Sequence, residues 1–134
     1  MIAIDTSAVI AILRGEDEAE PFALAIAEAE QCFISAVGLL EASMVMVGRG
    51  RPEVADRVDA LVQDLAIEIV PFDGELARES RVAFIRFGKG RHPAGLNFGD
   101  CVSYALAQAR GLPLLYKGDD FARTDVVSAV RRRE

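Results

Sequence analysis

Three acidic residues stand alone in segments that otherwise read as core. Asp5 is the single charged residue between Met1 and Leu13, at the end of a short apolar run. Glu41 is the only charge in CFISAVGLLEASMVMVG, flanked by Val37, Leu40, Met44 and Val45. Asp100 is the only charge between Pro93 and Ala109, set between Phe98-Gly99 and Cys101-Val102. A late apolar run then leads into Gly118-Asp119-Asp120-Phe121, which offers a further pair of acids. A buried carboxylate is costly unless it is paired or bound to a cation. The sequence places no cation close to the three lone acids. If the fold gathers them, mutual repulsion adds to the cost. A divalent cation that prefers oxygen, Mg²⁺ or Mn²⁺, relieves both problems. Such a cation can activate a water and stabilise the transition state of phosphodiester cleavage. Each acid also has a plainer role open to it. Asp5 suits a helix cap, Glu41 a narrow polar stripe, and Asp100 a first helical turn, where the dipole favours an acid. Asp119 and Asp120 suit an ordinary turn. It is their joint occurrence that favours a shared site.

The elements that must position these acids follow from the apolar pattern. A strand is predicted over Met1–Asp5, with Thr6 or Ser7 capping a helix over Ala8–Arg14 that Gly15 ends. Pro21 suits the first turn of a helix to about Glu30. Cys32–Ser35 reads as the second strand, and Ser35 caps a helix to about Val47. Pro52 opens a helix to about Leu65, and Ala66–Pro71 is the third strand. Asp73 caps a helix through Phe87, and a basic loop spans Gly88 to Gly95. A helix over Phe98–Arg110 ends at Gly111, with Asn97 as a cap or a partner for a carboxylate. Leu112–Tyr116 is the fourth strand, and a short fifth is expected near Val126. Strands alternating with helices imply crossover connections and a mainly parallel sheet covered on both faces. In open sheets of this kind, sites lie at the carboxyl ends of the strands.

The 134 residues fit one domain, spanning 1–134. Apolar residues make up 51% and charged residues 27%, enough for one core. No apolar run reaches the ~20 residues of a membrane span. No signal peptide is expected, because the opening residues lack a basic region. Cys32 and Cys101 lie in apolar segments, which suits reduced thiols in the cytoplasm. The net charge of −6 excludes nucleic-acid binding through bulk positive charge. A cluster of carboxylates accounts for much of that deficit, and a bound cation would reverse its local sign.

The motifs together resemble the PIN-domain nucleases, and among them the VapC toxins of bacterial toxin–antitoxin pairs. IDTSAVIAIL resembles the opening strand and helix with the first acid, Asp5. SAVGLLEASMV resembles the helix that carries the second, Glu41. KGRHPAGLNFGDCVSYALAQARGLPLLYKGDDF resembles the most specific stretch, with Asp100 as the third acid, and GDDFARTDV resembles the last acidic turn. The resemblance implies a three-layer α/β/α sandwich and Mg²⁺- or Mn²⁺-dependent endoribonuclease activity. It also implies inhibition by a VapB-type antitoxin and a homodimer. Relatives often carry the fourth acid in a Thr-Asn-Asp turn, where this chain has Tyr116-Lys117-Gly118-Asp119-Asp120-Phe121. Either aspartate fits. The family's common Asp-Phe pair favours Asp120, which leaves Asp119 to a metal-bound water or a second ion.

On this resemblance Asp5 and Asp100 hold the principal cation, while Glu41 and Asp119 or Asp120 complete the pocket. Thr6 or Ser7 would orient a phosphate from the helix N-terminus. Arg49 and Arg51 in one loop, and Lys89 and Arg91 in another, would hold RNA phosphates, transfer RNA or another structured RNA being the expected substrate. His92 is more readily structural than a proton donor, and Arg131-Arg132-Arg133 forms a basic tail. Phe33, Phe98, Tyr104 and Phe121 are expected in the core or pocket wall rather than as base-stacking platforms. Two alternatives share the pattern: a phosphoacceptor receiver domain and a non-catalytic PIN-fold binding module. The first wants paired acids after its first strand, where Asp5 is single. The second has no need of a full set of acids.

Overall fold

The computed structural model describes residues 1–130, so the basic run Arg131-Arg132-Arg133 lies outside the described residues. Four parallel strands form the sheet: β1 (Ile2–Ile4), β2 (Cys32–Ser35), β3 (Ile67–Val70) and β4 (Leu114–Leu115). Their order is β3-β2-β1-β4. Ile2 lies beside Cys32, Ala3 beside Leu114, and Cys32 beside Ile67. Side chains alternate between the faces of the sheet. Ile2, Ile4, Ile34 and Leu115 therefore enter one core, while Ala3, Phe33 and Leu114 enter the other.

The first core is closed by α1 (Thr6–Leu13), α2 (Ala19–Glu28), α3 (Ala36–Gly48) and α4 (Ala55–Asp64). Val9, Phe22, Ala42 and Val58 are their buried contributions. The second core is closed by α5 (Gly74–Phe87) and α6 (Phe98–Arg110), through side chains such as Leu76, Ala83, Val102 and Leu106. The result is the expected three-layer α/β/α sandwich. From β1 the chain steps to β2 and β3 on one side, then returns to place β4 on the other. The switch between β1 and β4 opens a crevice at the carboxyl ends of these two strands. A receiver domain runs in the order 2-1-3-4-5, with its third strand beside the first. Here β3 pairs with β2 instead, so the receiver alternative is excluded.

Caps at Ser35, Asp73 and Asn97 fall where the sequence predicts them, as does the left-handed Gly111 that stops α6. Pro21 also falls in the first turn of α2, as expected. Three details differ. The cap of α1 is Asp5 rather than Thr6 or Ser7, and the helix starts at Thr6. Pro52 opens a short 3₁₀ turn, Pro52–Val54, before α4 begins. In place of a fifth strand there is a single bridge, where Leu114 N–H donates to Val127 and Ala129 N–H donates to Leu114. Cys32 and Cys101 are buried free thiols, and burial pushes Cys101 up to about 11.

Ile34 has no exposed surface and sits in the middle of the sheet. Ile34→Ala is expected to cost about 2–5 kcal/mol, and Ile34→Val about 0.5–1.5. Guanidinium unfolding checks this through a shifted midpoint at constant slope.

Candidate active site

Asp5 leaves β1 at the switch point with only 3% of its surface exposed. Its carboxylate receives three donors. The N–H and the hydroxyl of Ser7 donate to Oδ2 at 3.0 and 2.6 Å, and the Ser103 hydroxyl donates to Oδ1 at 2.6 Å. Ser7 in turn accepts the backbone N–H of Lys117 at 3.0 Å, tying the exit of β4 to the start of α1. Asp5 is therefore both a helix cap and a fixed carboxylate in the crevice.

Glu41 reaches the same place from the second turn of α3. A Cβ built on Gly99 would stand 2.4 Å from both of its carboxylate oxygens, so Glu41 lies directly against the backbone of α6. Burial raises its proton affinity and the charge of Asp5 adds to this, while contact with the Thr6 hydroxyl opposes both. Thr6 was expected to meet substrate. It is buried, and its hydroxyl donates to the Gly38 carbonyl at 2.9 Å.

Asp100 stands in the first turn of α6 in a reciprocal cap. Its Oδ2 accepts the Asn97 N–H at 3.1 Å, and Asn97 Oδ1 accepts the Asp100 N–H at 2.9 Å. Its carboxyl is pushed up to about 7, first by burial and then by the charges of Asp5, Asp120 and Glu41, against the Asn97 bond. Four acids from four parts of the chain thus act on one another. Asp120 has this electrostatic link to Asp100; Asp119 is exposed in the same turn. Among the described residues, none of Asp5, Glu41, Asp100 and Asp120 forms an ion pair. Lys117, three residues before Asp120, pairs instead with Glu18 at 2.9 Å and Glu16 at 3.1 Å.

The cluster is built from oxygen donors alone, the chemistry that hard divalent cations take. Among the described residues no three His, Cys, Asp or Glu side chains are arranged as a ready cage. Mg²⁺ does not need one, since it keeps several waters and binds through one or two carboxylates. The donor set fits such an ion.

The basic residues are spread more widely. Arg49 caps the end of α3, eight residues from Glu41, or about 12 Å of helix. Arg51 is exposed just beyond it. The N–H of Lys89 donates to Leu96, next to the Asn97 cap. Arg91 bends back, its Nε donating to Ile85 at 3.2 Å. His92 packs edge-on against Phe87, and its Nδ1 accepts the Ala94 N–H, which gives it a structural job. Phe33, Tyr104 and Phe121 are buried as expected, but Phe98 is 70% exposed. It occupies the first position of α6, where the helix end projects beyond both cores.

Three contributors were not singled out from sequence. Gly99 had a signal, being a poor helix former inside a first turn. Ser103 lies one turn after Asp100 and so shares its face. Arg123 donates to the Pro93 carbonyl at 3.2 Å and braces the basic loop against the turn that follows Asp120.

Gly99→Ala is expected to displace Glu41 and reduce function, yet leave thermal stability unchanged or higher, because alanine favours the helix by about 1 kcal/mol. Activity and melting temperature measured together check this opposite movement. A second expectation concerns pH. An unperturbed aspartate titrates near 3.8, whereas Asp100 is pushed up to about 7 in the folded protein. Between those values the folded state binds the proton more tightly, so stability falls as pH rises. Melting temperature in EDTA is expected to decline across that window, and less steeply for Asp100→Asn. Equal slopes would contradict the raised value.

Comparison with known proteins shows the family and the fold. The PIN-domain family model matches residues 2–127. Ribonuclease VapC28 of Mycobacterium tuberculosis is 46% identical over 131 residues, covering 97% of this chain and 98% of that protein. The crystal structure of Mycobacterium tuberculosis VapC20, described as a sarcin-ricin loop cleaving toxin, superposes with a TM-score of 0.78 at 18% identity, covering 98% of this chain and all of that one. A toxin-antitoxin complex from Klebsiella pneumoniae gives 0.72 at 23% identity, with the same coverage. These two share the fold. With the match along nearly its whole length, the chain belongs to the PIN-domain family, in the group of the VapC proteins.

Proposed function

We propose that this chain is a Mg²⁺- or Mn²⁺-dependent endoribonuclease and the toxin of a toxin–antitoxin pair. The observation that carries the proposal is the convergence of Asp5, Glu41, Asp100 and Asp120 at the switch point, expressed in the Asp100 carboxyl near 7. The ribonuclease names of close relatives supply the reaction class. Asp5 and Asp100 would hold the cation, which when bound supplies an acidified water and charge neutralisation for phosphodiester hydrolysis. Ser7 orients Asp5 from its own turn of chain. Glu41 and Asp120 complete the acidic wall, with Asp119 the alternative to Asp120.

Lys89, whose backbone is bonded to Leu96 just before the Asn97 cap, is the first candidate to position a phosphate. Arg91, Arg49 and Arg51 would extend that track away from the site. Thr6 acts behind Glu41 rather than on RNA. A VapB-type antitoxin and a second copy of the chain are the proposed partners, in the cytoplasm. Among the described residues, no helix is long and apolar enough to cross a membrane. Leu40, Met44 and Phe98 leave apolar surface exposed on the elements that carry Glu41 and Asp100, which suits such partners.

Purified protein incubated with total cellular RNA is expected to give discrete fragments only when Mg²⁺ or Mn²⁺ is added. Asp5→Asn and Asp100→Asn should each lower the rate by at least about a hundredfold, on the scale of a lost positioned charge, with the fold retained. Cleavage by either variant at the parent rate would refute these roles.

A further inference from the structure

We propose that Ser103 is a positioning residue for the cation site: its hydroxyl fixes the plane of the Asp5 carboxylate and its separation from Asp100. The inference rests on the metal-site reading above and adds a residue to it. Ser103 and Asp5 are each 3% exposed, 98 positions apart in the chain, and joined by a 2.6 Å bond to Oδ1. The other oxygen, Oδ2, is held by Ser7 from the same turn of chain. Local bonds therefore fix one edge of the carboxylate, and only Ser103 ties the other edge to a remote element.

That element is α6, the helix that also carries Asp100 one turn earlier, so one bond sets the geometry between the two proposed ligands. It acts against repulsion, since the charge of Asp5 falls on Asp100. Oδ2 spends both of its lone pairs on Ser7, so Oδ1, the oxygen that Ser103 holds, is the one that keeps a lone pair for a cation. Mg²⁺ demands near-ideal octahedral geometry, so the direction of a ligand's lone pair matters as much as its presence. Groups that orient a ligand in this way typically contribute ten- to a hundredfold in metal affinity.

The test is Mn²⁺ binding by the purified full chain, followed by loss of the free-ion electron paramagnetic resonance signal, with thermal unfolding in parallel. The variants are Ser103→Ala, Ser103→Cys and Asp5→Asn. Ser103→Ala is expected to weaken Mn²⁺ binding by about tenfold or more in folded protein. Ser103→Cys keeps the volume but offers a weak donor, so it should weaken binding as well, and it decides the matter if the alanine variant does not fold. Asp5→Asn should lose binding outright. Folded Ser103 variants that bind Mn²⁺ as the parent does, while Asp5→Asn does not, would overturn the positioning role and leave the metal site standing. A merely structural serine would give that same pattern, with a lower melting temperature and an unchanged affinity. Parent-like binding by Asp5→Asn would overturn the metal-site reading itself, and this proposal with it.

Discussion

The carboxylate of Asp5 is out of water at the end of the central strand, and the fold meets its cost with hydrogen bonds rather than with a positive charge. Ser7 and Ser103 supply three donors, bonds to a charged group being worth about 1.5–3 kcal/mol each. These bonds reach into α1 and α6 and, through Ser7, to the backbone of Lys117 after β4. The elements that border the switch point are thus joined through one side chain. Close approach of α6 and α3 follows from the same arrangement. Only a glycine at position 99 leaves room for Glu41 to lie against the α6 backbone.

Among the described residues, the cluster therefore holds like charges together without an ion-paired base. Lys117 is engaged by Glu16 and Glu18, and Glu41 and Asp100 hold their protons more tightly, first through burial and then through neighbouring negative charge. Two groups that titrate under the same repulsion share their protons as a set. In energetic terms the cost of gathering the acids is met within the fold, and this is what supports the proposal of a cation there. This strain is local. The two cores behind it are closed by aliphatic side chains with little or no exposed surface, such as Ile34, Leu106 and Leu114.

Much of this was legible in the sequence, for a definite reason. Asp5, Glu41 and Asp100 stand out because a charge in an apolar run must be explained by something outside that run. Caps at Ser35, Asp73 and Asn97 were readable because a cap is a contact within one turn. What the sequence hid was non-local. The partner of Asp5 lies 98 residues away, and periodicity says nothing about which remote hydroxyl will face a given oxygen. The identity of the α1 cap stayed open in the sequence because Asp5, Thr6 and Ser7 are all residue types that cap, and the fold settles it by turning the Asp5 carboxylate onto the Ser7 N–H. Phe98 misled because an aromatic beside apolar neighbours reads as core, whereas a helix end can carry it into solvent at 70% exposure. The strand expected near Val126 shortened to a bridge, since β4 itself spans only Leu114–Leu115.

The most direct test of the central claim is the carboxyl-carbon titration of Asp100 by nuclear magnetic resonance, in EDTA and then with Mg²⁺. A midpoint near 7 without metal, shifted well to lower pH by Mg²⁺, is the predicted result. An ordinary aspartate midpoint that Mg²⁺ leaves unmoved would contradict a cluster of carboxylates built to receive a cation.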